Sequence, residues 1–214
     1  MKNLLLVVFA AFMLCGCAPK GIFVSLPDEQ APSNVSKKTK IYVESVKDVR
    51  VFENDPKQAS TPSLYKHNVN EVSAKEKQKY IGRTRNSYGK GLWNVILENK
   101  QRTTSVVRAH IEDAFRINGF LVVKNENEID KDTISVNARI EKLWTYMTLG
   151  AVKVGLNADI STILSVNSKE LSTVVKRKEE YLLINQNDYA NIIKSSLAEY
   201  KEKLAKQISE LNLE

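Results

Sequence analysis

Cysteine is nearly absent from this chain: there are two, Cys15 and Cys17, and none follows them. From position 18 onward no intrachain disulfide can form, and thiol catalysis by the body of the protein is excluded. Histidine is as scarce, with only His67 and His110. Neither has Cys or His neighbours at ligand spacing, which argues against a zinc site or any other metal centre. His67 lies in a polar stretch, and His110, beside Ile111, has the setting of a partly packed helical side chain. No Gly-x-Ser-x-Gly elbow occurs, so a Ser-His-Asp triad would have to be assembled from scattered residues. No apolar run beyond the N-terminus reaches the roughly 20 residues needed to cross a bilayer. These absences leave no catalytic residue to name and call for no cofactor, so the expectation is a protein that is not an enzyme.

What is present begins at the N-terminus. Lys2 precedes an apolar run over residues 4–14, and Leu14-Cys15-Gly16-Cys17 closes it. Eleven apolar residues are too few to span a core about 30 Å thick, and they suit the central region of a signal peptide. The closing tetrapeptide resembles the bacterial lipobox: a branched apolar residue, a tolerant position, a small residue and an obligatory Cys. An ordinary secretory signal would also end at a small residue, with Cys17 a bystander. The resemblance implies a signal peptide over residues 1–16 and a covalent lipid, palmitate included, on Cys17. Two or more acyl chains give stable anchoring, so the expected partner is a membrane to which the protein is tethered without crossing it. Ala18 and Pro19 follow the cysteine, and neither is the Asp that retains enteric lipoproteins at the inner membrane. The implied location is the periplasmic face of the outer membrane, with the inner membrane as the alternative.

The rest reads as one domain over residues 39–214, preceded by a tether over residues 17–38 that carries Pro27 and Pro32 and an apolar patch, Ile22-Phe23-Val24, able to dock on the domain. The formal net charge of +7 is spread among acids, as in Lys176-Arg177-Lys178-Glu179-Glu180. That mixing suits a solvated basic surface; attraction to anionic head groups or lipopolysaccharide is the other use, and nucleic acid is not expected. Ile41, Val43 and Val46 predict a short strand, after which residues 55–100 read as a long polar loop. A loop of that length in a compact domain is unusual and commonly functional. Val107, Ile111, Ala114, Phe115 and Asn118 fall at helical spacing, with Gly119 where a left-handed cap belongs. Ile134, Val136, Ala138 and Ile140 alternate with polar residues, as in a half-buried strand. The even-numbered series Val152, Val154, Leu156, Ala158, Ile160, Leu164 and Val166 predicts a long strand with one apolar face, turning at Asn167-Ser168 into a returning strand over residues 171–184. Asp188 is a candidate N-cap for a final helix striped by Ile193, Leu197, Tyr200, Leu204, Ile208 and Leu211. That stripe fits packing on the domain's own sheet, or a partner. The order predicts an α+β fold, a mostly antiparallel sheet with two helices packed on one face.

Three clusters bear on binding. Gly82-Arg83-Thr84-Arg85-Asn86-Ser87-Tyr88-Gly89-Lys90-Gly91 looks superficially like a phosphate-binding loop. Six residues separate Gly82 from Gly89 where four are needed, and Gly91 replaces the magnesium-binding hydroxyl. It is not a nucleotide loop. Arg83, Arg85, Tyr88 and Lys90 are still the best binding candidates, because arginines grip phosphate or carboxylate in a bidentate way. The same segment also suits a structural loop whose arginines pair with acids such as Glu53 or Asp55, and both arginines are expected at the surface or in a loop. Asp48 and Arg50, two apart on an extended chain, point to one side and are expected to pair. Trp144 and Tyr146 either mark a partner contact or fill the edge of the core.

The lipobox, the strand ending Val46-Lys47-Asp48-Val49-Arg50, the helix ending Arg116-Ile117-Asn118-Gly119-Phe120, the strand around Ile140, the hairpin and the last helix together resemble the YajG-type lipoproteins of Gram-negative bacteria. The resemblance covers residues 39–211 in pattern, and residues 55–100 depart from it. It implies an envelope lipoprotein with no catalytic residues. The expected role is therefore a non-enzymatic binding or accessory subunit of the cell envelope with an envelope protein partner. The alternatives are an auxiliary lipoprotein of a lipid or lipopolysaccharide transport complex, or an accessory factor of cell-wall or flagellar structures.

Overall fold

The computed structural model describes residues 21–27 and 35–213. The expected signal peptide, the lipobox-like tetrapeptide and Cys17 lie outside the described residues. The elements are β1 (Gly21–Val24), β2 (Lys40–Asp48), α1 (Ala74–Lys77), β3 (Tyr80–Arg85), β4 (Gly91–Leu97), α2 (Thr103–Ile117), β5 (Leu121–Val123), β6 (Ile134–Leu149), β7 (Val154–Val166), β8 (Lys169–Tyr181) and α3 (Gln186–Ser209).

All eight strands join one sheet, organised by the 16-residue β6. One edge of β6 carries the β7–β8 hairpin. The other edge is shared end to end by two strands: β2 pairs with it from Ile134 to Ile140, and β3 at Thr145 and Tyr146. Beyond β2 lies β5; beyond β3 lie β4 and then β1. The fold is α+β, but the sheet is mixed rather than mostly antiparallel. The pairs β1–β4, β2–β5, β2–β6 and β3–β6 are parallel, while β3–β4, β6–β7 and β7–β8 are antiparallel. The physical reason is that β2 and β6 are separated by α2, and a helical crossover returns the chain in the same direction.

α2 and α3 pack side by side on one face. Val107, Ile111, Ala114 and Phe115 from α2 are fully buried with Ile192, Ile193, Leu197, Tyr200, Leu204 and Ile208 from α3. Burying each such aliphatic or aromatic side chain contributes about 1.5–3 kcal/mol before the entropy of ordering it. Asn118 ties the two helices, donating from Nδ2 to the carbonyls of Ala114 at 2.9 Å and Ala205 at 2.8 Å. Gly119 ends α2 at φ +81°, where a Cβ would also strike Ser36 Oγ at 2.1 Å. The N-cap of α3 is Asn185 rather than Asp188; Asp188 completes a capping box, its carboxylate accepting the Asn185 N–H at 2.7 Å.

Two expected boundaries shift. Residues 21–24 belong to the sheet rather than to a tether: β1 pairs with β4, and Val24 and Leu26 are buried. Residues 55–100 are not one loop, since they contain α1, β3 and β4. The irregular chain before β3 lies on the sheet face opposite the long helices, over a small second core of Leu64, Val69, Tyr80 and Trp144. Trp144 reaches that face because the β6–β7 pairing slips between Ile140 and Lys142. Before the slip the even-numbered residues of β6 face the helices; after it Leu143 does, and Trp144 and Tyr146 face the second core.

Candidate functional site

The β3–β4 hairpin carries the four residues singled out for binding. Its turn is held by Asn86, whose carbonyl accepts the Gly89 N–H at 2.9 Å and whose Oδ1 accepts the N–H groups of Tyr88 at 3.0 Å and Lys90 at 2.9 Å. Arg83, Arg85, Tyr88 and Lys90 line one open cleft of about 320 Å³ with Gly89, Gly91 and a strip of the upstream chain, Asp55, Pro56 and Lys57. The structure thus brings the four residues together. Asp55 stands near the arginines as expected, although without an ion pair, while Pro56 and Lys57 carry no local signal that would link them to the hairpin.

Arg83 and Arg85 lie on strand β3 rather than in a loop, and Arg83 is buried at 8% exposure rather than at the surface. Arg83 folds back on β4, donating from Nε to the Leu92 carbonyl at 3.2 Å, from Nη1 to Ser63 Oγ at 3.0 Å and from Nη2 to the Gly91 carbonyl at 3.4 Å. A Cβ at position 91 would stand 2.6 Å from Arg83 Nε, so this approach needs the glycine. Arg85 donates from Nη1 to the Gly89 carbonyl, and its buried Nε has no hydrogen-bond partner. Among the described residues neither arginine forms an ion pair, and the expected pairing with Glu53 or Asp55 is not formed. Burial depresses the basicity of both; at Arg83 the charge of Asp55 opposes that and the neighbouring Arg85 adds to it. Guanidinium groups stay charged even so. Tyr88 is 91% exposed at the hairpin tip, and Lys90 is exposed beside it. Chemically, the cleft offers two partly desolvated guanidinium groups whose contacts are neutral acceptors. That arrangement suits an anion with planar or tetrahedral oxygens.

The other buried arginine with a β3 contact is already satisfied. Arg50 is held by Asp48 through Nε–Oδ1 at 2.9 Å and Nη2–Oδ2 at 2.8 Å. It also donates to the carbonyls of Tyr80 and Leu143, both at 2.8 Å, and Lys77 at 3.1 Å. Leu143 lies where β2 has left β6 and β3 has not yet joined it, so Arg50 fills the fork in the sheet. Asp48 accepts the Thr103 hydroxyl at 2.7 Å, linking the fork to the start of α2.

A groove between α2 and α3, lined by Leu26, Pro27, His110, Asp113, Lys194 and Lys201, has a similar volume of about 320 Å³. Its buried acid is used within α2, where Asp113 accepts from Arg116 at 2.7 Å, and His110 Nδ1 lies 2.8 Å from the Val106 carbonyl. Among the described residues no group of three or more His, Cys, Asp or Glu is placed to hold a metal ion.

No protein-family model and no curated protein matches this chain. Among solved structures it is similar to an uncharacterized protein, at 8% identity and a TM-score of 0.46 over 87% of this chain and 99% of that one. It is also similar to a Xanthomonas campestris protein of the family DUF330, at 11% identity and a TM-score of 0.43 over 88% of this chain and 98% of that one.

Proposed function

We propose that this chain is a lipid-anchored envelope lipoprotein whose domain acts as a non-enzymatic binding or accessory subunit, taking an anionic group of its partner or ligand in the Arg83–Arg85 cleft. The anchor rests on the lipobox at Cys17 and on the resemblance to YajG-type lipoproteins, and Ala18-Pro19 supports the periplasmic face of the outer membrane. The binding role rests on one observation: two adjacent guanidinium groups in an open cleft, neither paired with a carboxylate among the described residues. Removing a guanidinium from water is costly unless its charge is compensated, so such a pair gains when an anion enters.

The test is a crosslinking pull-down from intact envelopes comparing wild type, Cys17→Ala and the double substitution Arg83→Gln/Arg85→Gln. The expected result is a specific envelope partner captured by wild type, lost with Cys17→Ala, and lost or weakened at least tenfold in the arginine variant while acylation of Cys17 persists. Equal capture by wild type and the arginine variant would remove the cleft from the proposal.

A further inference from the structure

The large apolar side chains most open to water are concentrated in one place. Among the described residues, Tyr88 is 91% exposed, Leu183 87%, Val152 80%, Val51 70% and Leu182 69%. All but Val51 lie at the same end of the sheet. β3 and β6 run parallel toward that end, where the β3–β4 turn carries Tyr88 and the β6–β7 turn carries Val152. β8 ends there too, because Val154 at the start of β7 is paired with Tyr181, leaving Leu182 and Leu183 just beyond. The turns adjoin: a Cβ on Gly89 would lie 3.9 Å from Leu149 Cδ1. Isolated exposed apolar residues need no explanation, but several gathered on one rim mark a contact surface.

The same rim is where the chain arrives from Cys17. β1 is parallel to β4, with Gly21 opposite Asn94 near the start of that strand, so β1 also begins at this end. Cys17 is four residues before Gly21. Covalent geometry limits that separation to roughly 14 Å however the chain is arranged. Acyl chains on Cys17 therefore hold the start of β1, and the end of the sheet from which it begins, within that distance of the bilayer. Exposed Lys90 and Lys153 stand in the two turns beside Tyr88 and Val152. The acids at the end of β8 are already engaged, Glu179 by Arg177 and Tyr181 and Glu180 by Lys178.

We propose that this rim is a membrane-docking surface. Tyr88, Val152, Leu182 and Leu183 enter the boundary between headgroups and acyl chains, and Lys90 and Lys153 meet lipid phosphates. The anchored domain then sits directly on the bilayer in a fixed orientation rather than swinging on a tether. This rests on the reading of Cys17 as acylated.

The experiment uses the acylated mature protein in vesicles of phosphatidylethanolamine and phosphatidylglycerol. A nitroxide is placed at Val152→Cys or, at the opposite end of the sheet, at Ile129→Cys. Collision rates with oxygen and with a water-soluble nickel complex report depth. The expected result is a label at 152 that is oxygen-rich and nickel-poor and a label at 129 in water. Adding Leu182→Asp/Leu183→Asp should return the label at 152 to water. Water-like accessibility at both positions overturns the proposal, as does an unchanged depth at 152 in the aspartate variant. A chain whose Cys17 is not acylated is recognised by its mass and by a second nitroxide; the anchor reading then fails first, and the docking proposal falls with it.

Discussion

Arg50 and the Arg83–Arg85 pair use the same chemical group beside the same strand for opposite ends. The Arg50 side chain is fully buried, paired with a carboxylate, and spends its donors on three carbonyls and Asp48. Arg83 and Arg85 meet only neutral acceptors, and one buried donor of Arg85 meets nothing. A guanidinium that closes an account within the fold is structural. One that is partly desolvated, in an ion pair with no carboxylate and facing an open cleft is poised for an anion from outside. Burial alone does not separate the two, because Arg50 and Arg83 are 7% and 8% exposed. Charge compensation does.

The comparison breaks most visibly at Arg50. Arg50→Ala leaves Asp48 buried without its partner and three carbonyls short of a donor. The expected loss is about 3–5 kcal/mol, the range for removing one member of a buried ion pair. Urea unfolding followed by far-UV circular dichroism measures it, and a loss under about 1 kcal/mol would mean the fork holds without it.

A smaller effect follows from acid. Burial pushes the Asp48 carboxyl up, but the bonds and charge of Arg50, with the Thr103 hydroxyl, outweigh it and hold Asp48 below its usual range. A group depressed on folding contributes stability that is present above its unfolded value and lost as pH falls through the folded one. Thermal unfolding of wild type should therefore weaken more steeply below about pH 4 than that of Asp48→Asn. Parallel curves would mean that Asp48 does not carry the linkage.

The smallest stability effect is expected at the cleft. Arg83→Gln/Arg85→Gln removes a few bonds to neutral acceptors and also relieves two partly desolvated charges, so the net change should stay within about 1.5 kcal/mol. Its signature lies elsewhere. At equal ionic strength, inorganic phosphate should raise the melting temperature of wild type and leave the double variant unmoved. A shift shared by both would assign phosphate binding to another surface.

How much of this was legible depends on whether a pattern is local. The even-numbered series of β7 keeps its face through the buried Thr162, and Leu156, Ala158, Ile160, Leu164 and Val166 are all buried; Val152, at its start, falls in the turn instead. The stripe of α3 is equally direct. β6 begins as legibly, but the slip after Ile140 reverses its parity, and the alternation of Ile134–Ile140 gives no sign that Trp144 lies in a second core. β3 gave no period at all, since its pairing with β4 shifts between Tyr80 and Gly82 and again between Arg83 and Arg85. Two slips in six residues erase alternation, and the segment looked like loop. β1 is four residues among prolines and polar residues, too short to show a period.

Local patterns were enough to read the class of fold, the two long helices and the long hairpin, the pairing of Asp48 with Arg50, and the short list of cationic residues worth watching. These depend on spacing along the chain, where 3.6- and 2-residue periods and an i, i+2 geometry are enough. The direction of the neighbouring strands, the fork that Arg50 fills, the second core beneath residues 50–79, and the placing of Lys57 beside Arg83 and Arg85 came from the tertiary fold. Each of those is a contact between segments far apart in the chain. Which segment meets which is settled by the packing of whole faces, and a local period carries no record of it.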